Sequence, residues 1–313
     1  MVFVALQQFC ELDDRPLHLL REAGFEVRRN TLGRRLRAEE MLPLLQEADA
    51  VLAGVEPYDA GLLRALRRLK VISRCGAGTD SIDLEIARAL GIAVFTTAEE
   101  AVEPVAQLTL GMILALARNF TLHGQDFRDG VWRKHAGHLL SEWTVGLVGF
   151  GRIGQAVGRT LEPFGPRILV ADPRREQEAQ AAGFTPCGLA ALLAESDLVS
   201  LHAARDPEEG PILGPREIAG MKPGSRLVNT ARGHLVDEES FLDALRSGHM
   251  AAAALDVFQE EPYTGPLSRM PNVLCTPHVA TLTRASRRAM ELACARNLLR
   301  FFEAHRGAQG VAR

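Results

Sequence analysis

Three segments of this chain end an apolar run in a polar residue able to do chemistry. RLVNTARGHLVD (226–237) places Arg232 just past an apolar stretch, DVFQEEP (256–262) carries Glu261, and CTPHVAT (275–281) carries His278. A guanidinium offers a planar fork that can bind a carboxylate through two hydrogen bonds, which an ammonium cannot match. An imidazole titrates near neutral pH and can take up or return a proton. A carboxylate beside that ring favours the imidazolium and holds one tautomer. Taken singly, each has a plain reading: a surface arginine, a solvated glutamate, a histidine closing a strand. Glu260 competes with Glu261, and residue pattern does not choose between them.

Upstream stands Gly149-Phe150-Gly151-Arg152-Ile153-Gly154, a G-x-G-x-x-G directly after the apolar run TVGLVGF and before a helical pattern. Such glycines permit a tight turn and let backbone N–H groups approach a pyrophosphate at the positive end of a helix. Asp172 follows Gly154 by 18 residues, at the end of the next strand pattern. A carboxylate at that spacing accepts hydrogen bonds from an adenosine ribose and repels a 2′-phosphate, which selects NAD over NADP. Arg174 and Arg175 are the counter-argument, since an arginine there can neutralise that phosphate. With this turn ahead of them, Arg232, Glu261 and His278 suit hydride exchange between NAD and a 2-hydroxy acid. The arginine would hold the acid and the histidine would carry the proton.

These residues need strand ends to stand on. Apolar runs at 2–6, 25–30, 50–54, 71–76 and 92–97 alternate with amphipathic stretches. A helical segment at 104–119 follows, then a second series at 144–150, 167–172, 198–202, 226–231, 252–258 and 273–278, and a closing helix at 284–306. This rhythm implies an α/β chain of two doubly wound parallel-sheet domains. The 313 residues suffice for two domains, and 47% hydrophobic with 24% charged residues is ordinary globular composition. A net charge of −3 gives no reason to expect nucleic acid or an anionic membrane, and the longest apolar run, 108–117, is too short to span one. The N-terminus reads as a strand rather than a signal peptide. Five dispersed cysteines without a CxxC pair suggest reduced thiols in the cytoplasm and no metal site.

The chain resembles the D-isomer-specific 2-hydroxyacid dehydrogenases, the family of phosphoglycerate, glyoxylate and D-lactate dehydrogenases. The resemblance covers nearly the whole chain: RCGAGTDSIDL (74–84), VAQLTLGMILALAR (105–118), TVGLVGFGRIG (144–154), MKPGSRLVNTARGHLVDEESFLDALRSG (221–248), AALDVFQEEP (253–262) and TPH (276–278). It implies that Arg232 orients the substrate, that Glu261 rather than Glu260 pairs with the histidine, and that His278 is the acid/base. It also implies that Asp256 contacts the nicotinamide carboxamide, and that Arg152 and Ile153 hold pyrophosphate-loop positions. Thr230, Ala231 and Arg232, with His278, Ala280 and Thr281, would border the nicotinamide. Cys75, Gly76, Ala77 and Gly78 would bind the substrate carboxylate through backbone N–H groups.

The implied topology is a Rossmann NAD-binding domain, 98–283, inserted into a flavodoxin-like substrate domain, 1–97 plus 284–313, with hinge closure between them. The helix at 104–119 and the arm through Trp132 imply a homodimer. The chain departs from the family at Gln107 (commonly Glu), Ala204 (commonly Pro), Asp206 (commonly Thr) and His234, expected to be exposed. Phosphite dehydrogenases carry lysine where Ala77 stands, which argues against phosphite. The substrate side chain would be read by Gln8, Phe9, Cys10 and the Val55-Glu56-Pro57 turn, and no basic cluster there calls for a phosphorylated acid, Arg74 alone supplying one charge. No appended regulatory domain is expected after the closing helix. An alternative on the same scaffold is an NAD(H)-sensing co-regulator with little turnover.

Overall fold

The computed structural model describes residues 1–205 and 207–310; Asp206 and the last three residues of the expected substrate domain lie outside them. The chain divides into two compact units, Met1–Ala101 with Thr281–Arg313, and Val102–Ala280.

The first unit is built on strands β1 (Val2–Val4), β2 (Val27–Arg29), β3 (Ala50–Ala53), β4 (Val71–Arg74) and β5 (Ala93–Thr96). Helices α1 (Arg15–Glu22), α2 (Ala38–Leu45), α3 (Ala60–Ala65) and α4 (Leu84–Ala89) connect them. All pairings are parallel, in the order β2-β1-β3-β4-β5. The short apolar runs form strands because both faces of the sheet are covered. Val2, Val4, Ala50 and Leu52 pack into the core on one side, and Phe3, Val51 and Ala53 into the core on the other.

The second unit opens with α5 (Val102–Ala117) and α6 (Phe120–Arg128). The helix expected at 104–119 thus starts earlier and breaks at Asn119, whose φ of 53° is left-handed. Strands β6 (Thr144–Val148), β7 (Arg167–Ala171), β8 (Thr185–Pro186), β9 (Leu198–Leu201), β10 (Ser225–Asn229), β11 (Met250–Leu255) and β12 (Val273–Cys275) follow. Between them run α7 (Arg152–Leu161), α8 (Glu176–Ala181), α9 (Leu189–Glu195), α10 (Pro215–Ala219) and α11 (Glu238–Ser247). The sheet is parallel, in the order β12-β11-β10-β9-β6-β7-β8. Chain order reverses between β6 and β9, so the turn after β6 lies at the topological switch point, where such sheets bind ligands. Strand β8 escapes the sequence because it has two residues, one of them a proline confined to a sheet edge.

Helix α12 (Arg284–Gly310) returns to the first unit. Met290, Cys294, Ala295, Leu298 and Phe301 recur at helical spacing and are buried in the core of that unit. No single helix among the described residues is long and apolar enough to cross a membrane.

Candidate active site

The phosphate turn is shaped by what glycine lacks. Gly149 has φ 91°, and a Cβ there would lie 2.6 Å from the backbone nitrogen of Ala203. A Cβ on Gly154 would stand 2.3 Å from the carbonyl oxygen of Gly149. The turn therefore keeps this form only with glycine at both places, and Gly151 caps the ten-residue α7, whose N-terminus favours an anion. Arg152 is exposed and Ile153 half-buried. Asp172 accepts the Phe150 N–H at 2.8 Å on one oxygen and the Arg174 N–H at 3.0 Å on the other. It thus ties the turn to the end of β7 while each oxygen retains a lone pair. Arg175 is engaged with Glu178 at 2.7 Å.

Beyond β10, the Thr230 hydroxyl lies 2.9 Å from that of Thr109 on α5, and Thr109 donates to the Val105 carbonyl at 2.8 Å. With the Thr109 proton committed, Thr230 must be the donor of this pair. Asn229 accepts the Ala231 N–H at 3.0 Å and donates to the Arg232 carbonyl at 2.8 Å, bending the chain as it leaves the strand. Arg232 is extended, at φ −146° and ψ 142°, and half-buried, and one of its nitrogens donates to the Ala231 carbonyl at 2.6 Å. Gly233 is indispensable to this corner, because a Cβ would lie 1.9 Å from the carbonyl carbon of Phe258. The loop carrying Glu261 therefore passes directly over the residue after Arg232.

Glu261 and His278 meet: Oε2 stands 2.8 Å from Nδ1. The other oxygen accepts the Phe258 N–H at 3.1 Å. Burial pushes the Glu261 carboxyl up, but the hydrogen bond and charge of His278, the Phe258 N–H and the charge of Arg232 together hold it below its ordinary value. An ionised carboxylate accepts only, so Nδ1 carries the ring proton toward it and Nε2 is left for exchange. Among the described residues, Glu260 makes no hydrogen bond to His278.

The backbone at His278 is left-handed, φ 53°, a conformation uncommon outside glycine and asparagine. Asp256 explains how it is held. Fully buried after β11, its carboxylate accepts from the Thr276 hydroxyl at 2.5 Å and from the N–H groups of Val279 at 2.8 Å and Ala280 at 2.9 Å. Its carbonyl accepts the His278 N–H at 2.8 Å. Thr281 follows, with its carbonyl taking the Thr283 N–H at 3.0 Å. Sequence reading missed Asn229, Gly233 and Thr276, although the glycine beside Arg232 was a visible signal.

In the first unit, the 75–78 loop follows β4. The Cys75 N–H goes to the Ala53 carbonyl and the Gly76 N–H to the Thr97 hydroxyl, both at 2.8 Å. Among the described residues, Ala77 and Gly78 donate their N–H groups to no protein acceptor. Phe9 is a core residue, and Glu56 is buried with its carboxylate turned onto the Gly54 N–H at 2.8 Å, so neither presents a side chain at the surface of this unit. Gln8 and Val55 are exposed and Cys10 is half-buried. All five cysteines are free thiols.

His234 corrects an expectation. It is half-buried rather than exposed, with Nε2 2.9 Å from the Arg205 carbonyl. His202, not singled out in the sequence, is half-buried with its ring 2.9 Å from the Ser200 hydroxyl, and desolvation pushes its pKa down to about 3.

Doubly wound sheet and glycine turn together define a dinucleotide-binding protein. Residues 110–280 match the family model of the D-isomer specific 2-hydroxyacid dehydrogenase NAD binding domain. A glyoxylate reductase of Thermococcus litoralis is 36% identical over 83% of this chain and 82% of its own. A hydroxypyruvate reductase of Thermotoga maritima is 35% identical, over 81% and 84% respectively. A Thermus thermophilus protein of known crystal structure superposes with a TM-score of 0.86 at 36% identity, covering 97% of both chains. The chain belongs to the D-isomer specific 2-hydroxyacid dehydrogenases. It is a nicotinamide-dependent oxidoreductase acting on the CH–OH group of hydroxy acids.

Proposed function

We propose that this protein is an NAD-dependent 2-oxo acid reductase for small, unphosphorylated acids, with Arg232 orienting the substrate and His278–Glu261 as its acid/base pair. The observation that carries the reading is the 2.8 Å contact between His278 and Glu261 at the strand end next to the Arg232 turn. When bound, the nicotinamide supplies the hydride that adds to C2 of the oxo acid, or takes it up in reverse. Arg232 polarises the 2-oxygen and holds the carboxylate. His278 gives its proton from Nε2 to that oxygen, and Glu261, taking Nδ1 at 2.8 Å, holds the ring in place as it does so. Within the first unit, Ala77 and Gly78 are the members of the 75–78 loop whose N–H groups suit an anion; those of Cys75 and Gly76 are spent on Ala53 and Thr97.

For the cofactor, Gly149, Gly151, Arg152, Ile153 and Gly154 hold the pyrophosphate, and Asp172 takes the ribose hydroxyls. Two observations support NAD over NADP: the Asp172 carboxylate stands at the turn, and Arg175 is turned to Glu178. We read the second unit as the NAD-binding domain, with Thr230, Ala231, Asp256, Ala280 and Thr281 bordering the nicotinamide, and the first unit as the substrate domain. Phe120, Phe127, Trp132 and Leu139 are exposed, with the Phe127 and Trp132 rings 5.5 Å apart, which suits a homodimer interface on α6 and the arm after it. Five free thiols suit a reducing cytoplasm.

The test is NADH oxidation against glyoxylate, hydroxypyruvate, pyruvate, bulkier 2-oxo acids and phosphohydroxypyruvate, with NADPH in parallel. Turnover with glyoxylate or hydroxypyruvate and NADH is expected. Tight NADH binding without turnover on any acid would favour a sensing role instead. Asp172→Ser should raise the NADPH-to-NADH ratio of kcat/KM; an unchanged ratio would remove Asp172 from cofactor choice.

A further inference from the structure

Strand β9 lies between β6, which leads into the phosphate turn, and β10, which leads into the Arg232 turn. The loop after β9 therefore runs between the two places where the cofactor reading puts pyrophosphate and nicotinamide. Its near end is seated on the phosphate turn, Ala203 lying against Gly149 so closely that a Cβ on the glycine has no room. Its far end is pinned by backbone bonds: the Ile212 and Leu213 N–H groups both donate to the Leu235 carbonyl at 2.9 Å, and the Asp237 N–H donates to the Leu213 carbonyl at 2.9 Å. Between these anchors, Arg205 is tied within the loop, one nitrogen donating to the Pro211 carbonyl at 3.2 Å. The bond that reaches the middle of the loop from the catalytic side is His234 Nε2 to the Arg205 carbonyl, 2.9 Å.

We infer that His234 is a positioning residue for the dinucleotide: its Nε2–H latches the β9 loop to the Arg232 turn and so holds the cofactor-facing backbone in place before binding. The inference rests on the cofactor reading proposed above. Its physical basis is preorganisation, since a loop already fixed by protein hydrogen bonds loses less conformational freedom when a ligand binds. Ala204 makes the latch matter more, because alanine leaves the backbone freer than a proline there would. A carbonyl only accepts, so Nε2 carries a proton in this bond. The neutral Nε2–H tautomer supplies it, so the latch needs no charge on the ring. That separates it from His278, whose reaction requires gain and loss of a proton.

The experiment uses the full chain as wild type, His234→Ala and His234→Gln, whose amide N–H reaches about as far as Nε2. NADH affinity is read by fluorescence titration, and hydrogen exchange across 203–211 is followed in the protein without NADH. The alanine variant should exchange faster in that loop and bind NADH about 3- to 10-fold more weakly, the range for loss of one neutral hydrogen bond. Its KM for NADH should rise by more than kcat falls, with the shape of the pH–rate profile kept. The glutamine variant should recover most of both effects. NADH affinity within twofold of wild type in the alanine variant overturns the proposal, and so does weaker binding with unchanged loop exchange. Failure of the wild type itself to bind NADH would defeat the cofactor reading and this proposal with it. Loop exchange would still show separately whether His234 holds the backbone.

Discussion

His202 and His278 both stand at the carboxyl edge of the same parallel sheet, after β9 and β12, and only His278 has a carboxylate on its ring. His202 is half-buried with a serine hydroxyl as its ring partner, and desolvation drives its pKa to about 3. His278 has 46% of its side chain exposed, and it sits on a left-handed residue that aims Nδ1 at an ionised Glu261. The residue type is the same. What differs is a carboxylate within hydrogen-bonding distance and a greater exposure to solvent.

The largest test of that contrast is His278→Ala. On the proposed mechanism it should lower kcat by about 10²- to 10⁴-fold, the usual worth of a general acid, with NADH binding retained. Turnover close to wild type in steady-state assays would mean that the proton takes another route.

Glu261→Gln probes why the two rings differ. It removes the charge yet can keep a hydrogen bond, and kcat for reduction should fall by about 10- to 100-fold, the scale of one charge-assisted hydrogen bond. A kcat within twofold of wild type would show that the carboxylate only shapes the corner.

His202 offers the smallest effect, seen in stability. Its native pKa lies below the unfolded value, so the unfolded chain binds more protons between about pH 6.5 and 3, and stability falls as pH drops through that window. From pH 6.5 to 5 this amounts to about 2 kcal/mol. Denaturant unfolding of wild type should show that loss and His202→Gln should not; equal slopes would mean that His202 is not held neutral. Glu261 works in the other sense, with a depressed carboxylate pKa, so its contribution holds above about pH 4.5 and disappears as pH falls below that. Being more than a third exposed, it adds little.

Much of this could be read from residues alone. Alternating apolar runs implied two parallel sheets because a strand buried on both faces has to be apolar throughout, as Val2–Val4 and Ala50–Ala53 are. The glycine spacing with Asp172 implied the turn at the switch point, since backbone approach to a phosphate demands glycine wherever it occurs. Arg232, His278 and the Glu260–Glu261 pair could be nominated because their chemistry is intrinsic to the side chains, and the family resemblance chose Glu261.

Other features existed only once the chain had folded. No spacing rule relates Gly233 to Phe258, or Asp256 to the N–H groups of Val279 and Ala280, because those contacts are made between neighbouring strand ends distant in sequence. The sequence expectation of an exposed His234 failed for the same reason: its partner, the Arg205 carbonyl, is a backbone atom 29 residues away that no side-chain pattern marks. Sequence by itself determined which groups could bind an anion or move a proton. Tertiary structure decided which of them are charged, which are buried and which are held in place, because desolvation and hydrogen bonding depend on neighbours that only the packed sheet brings together.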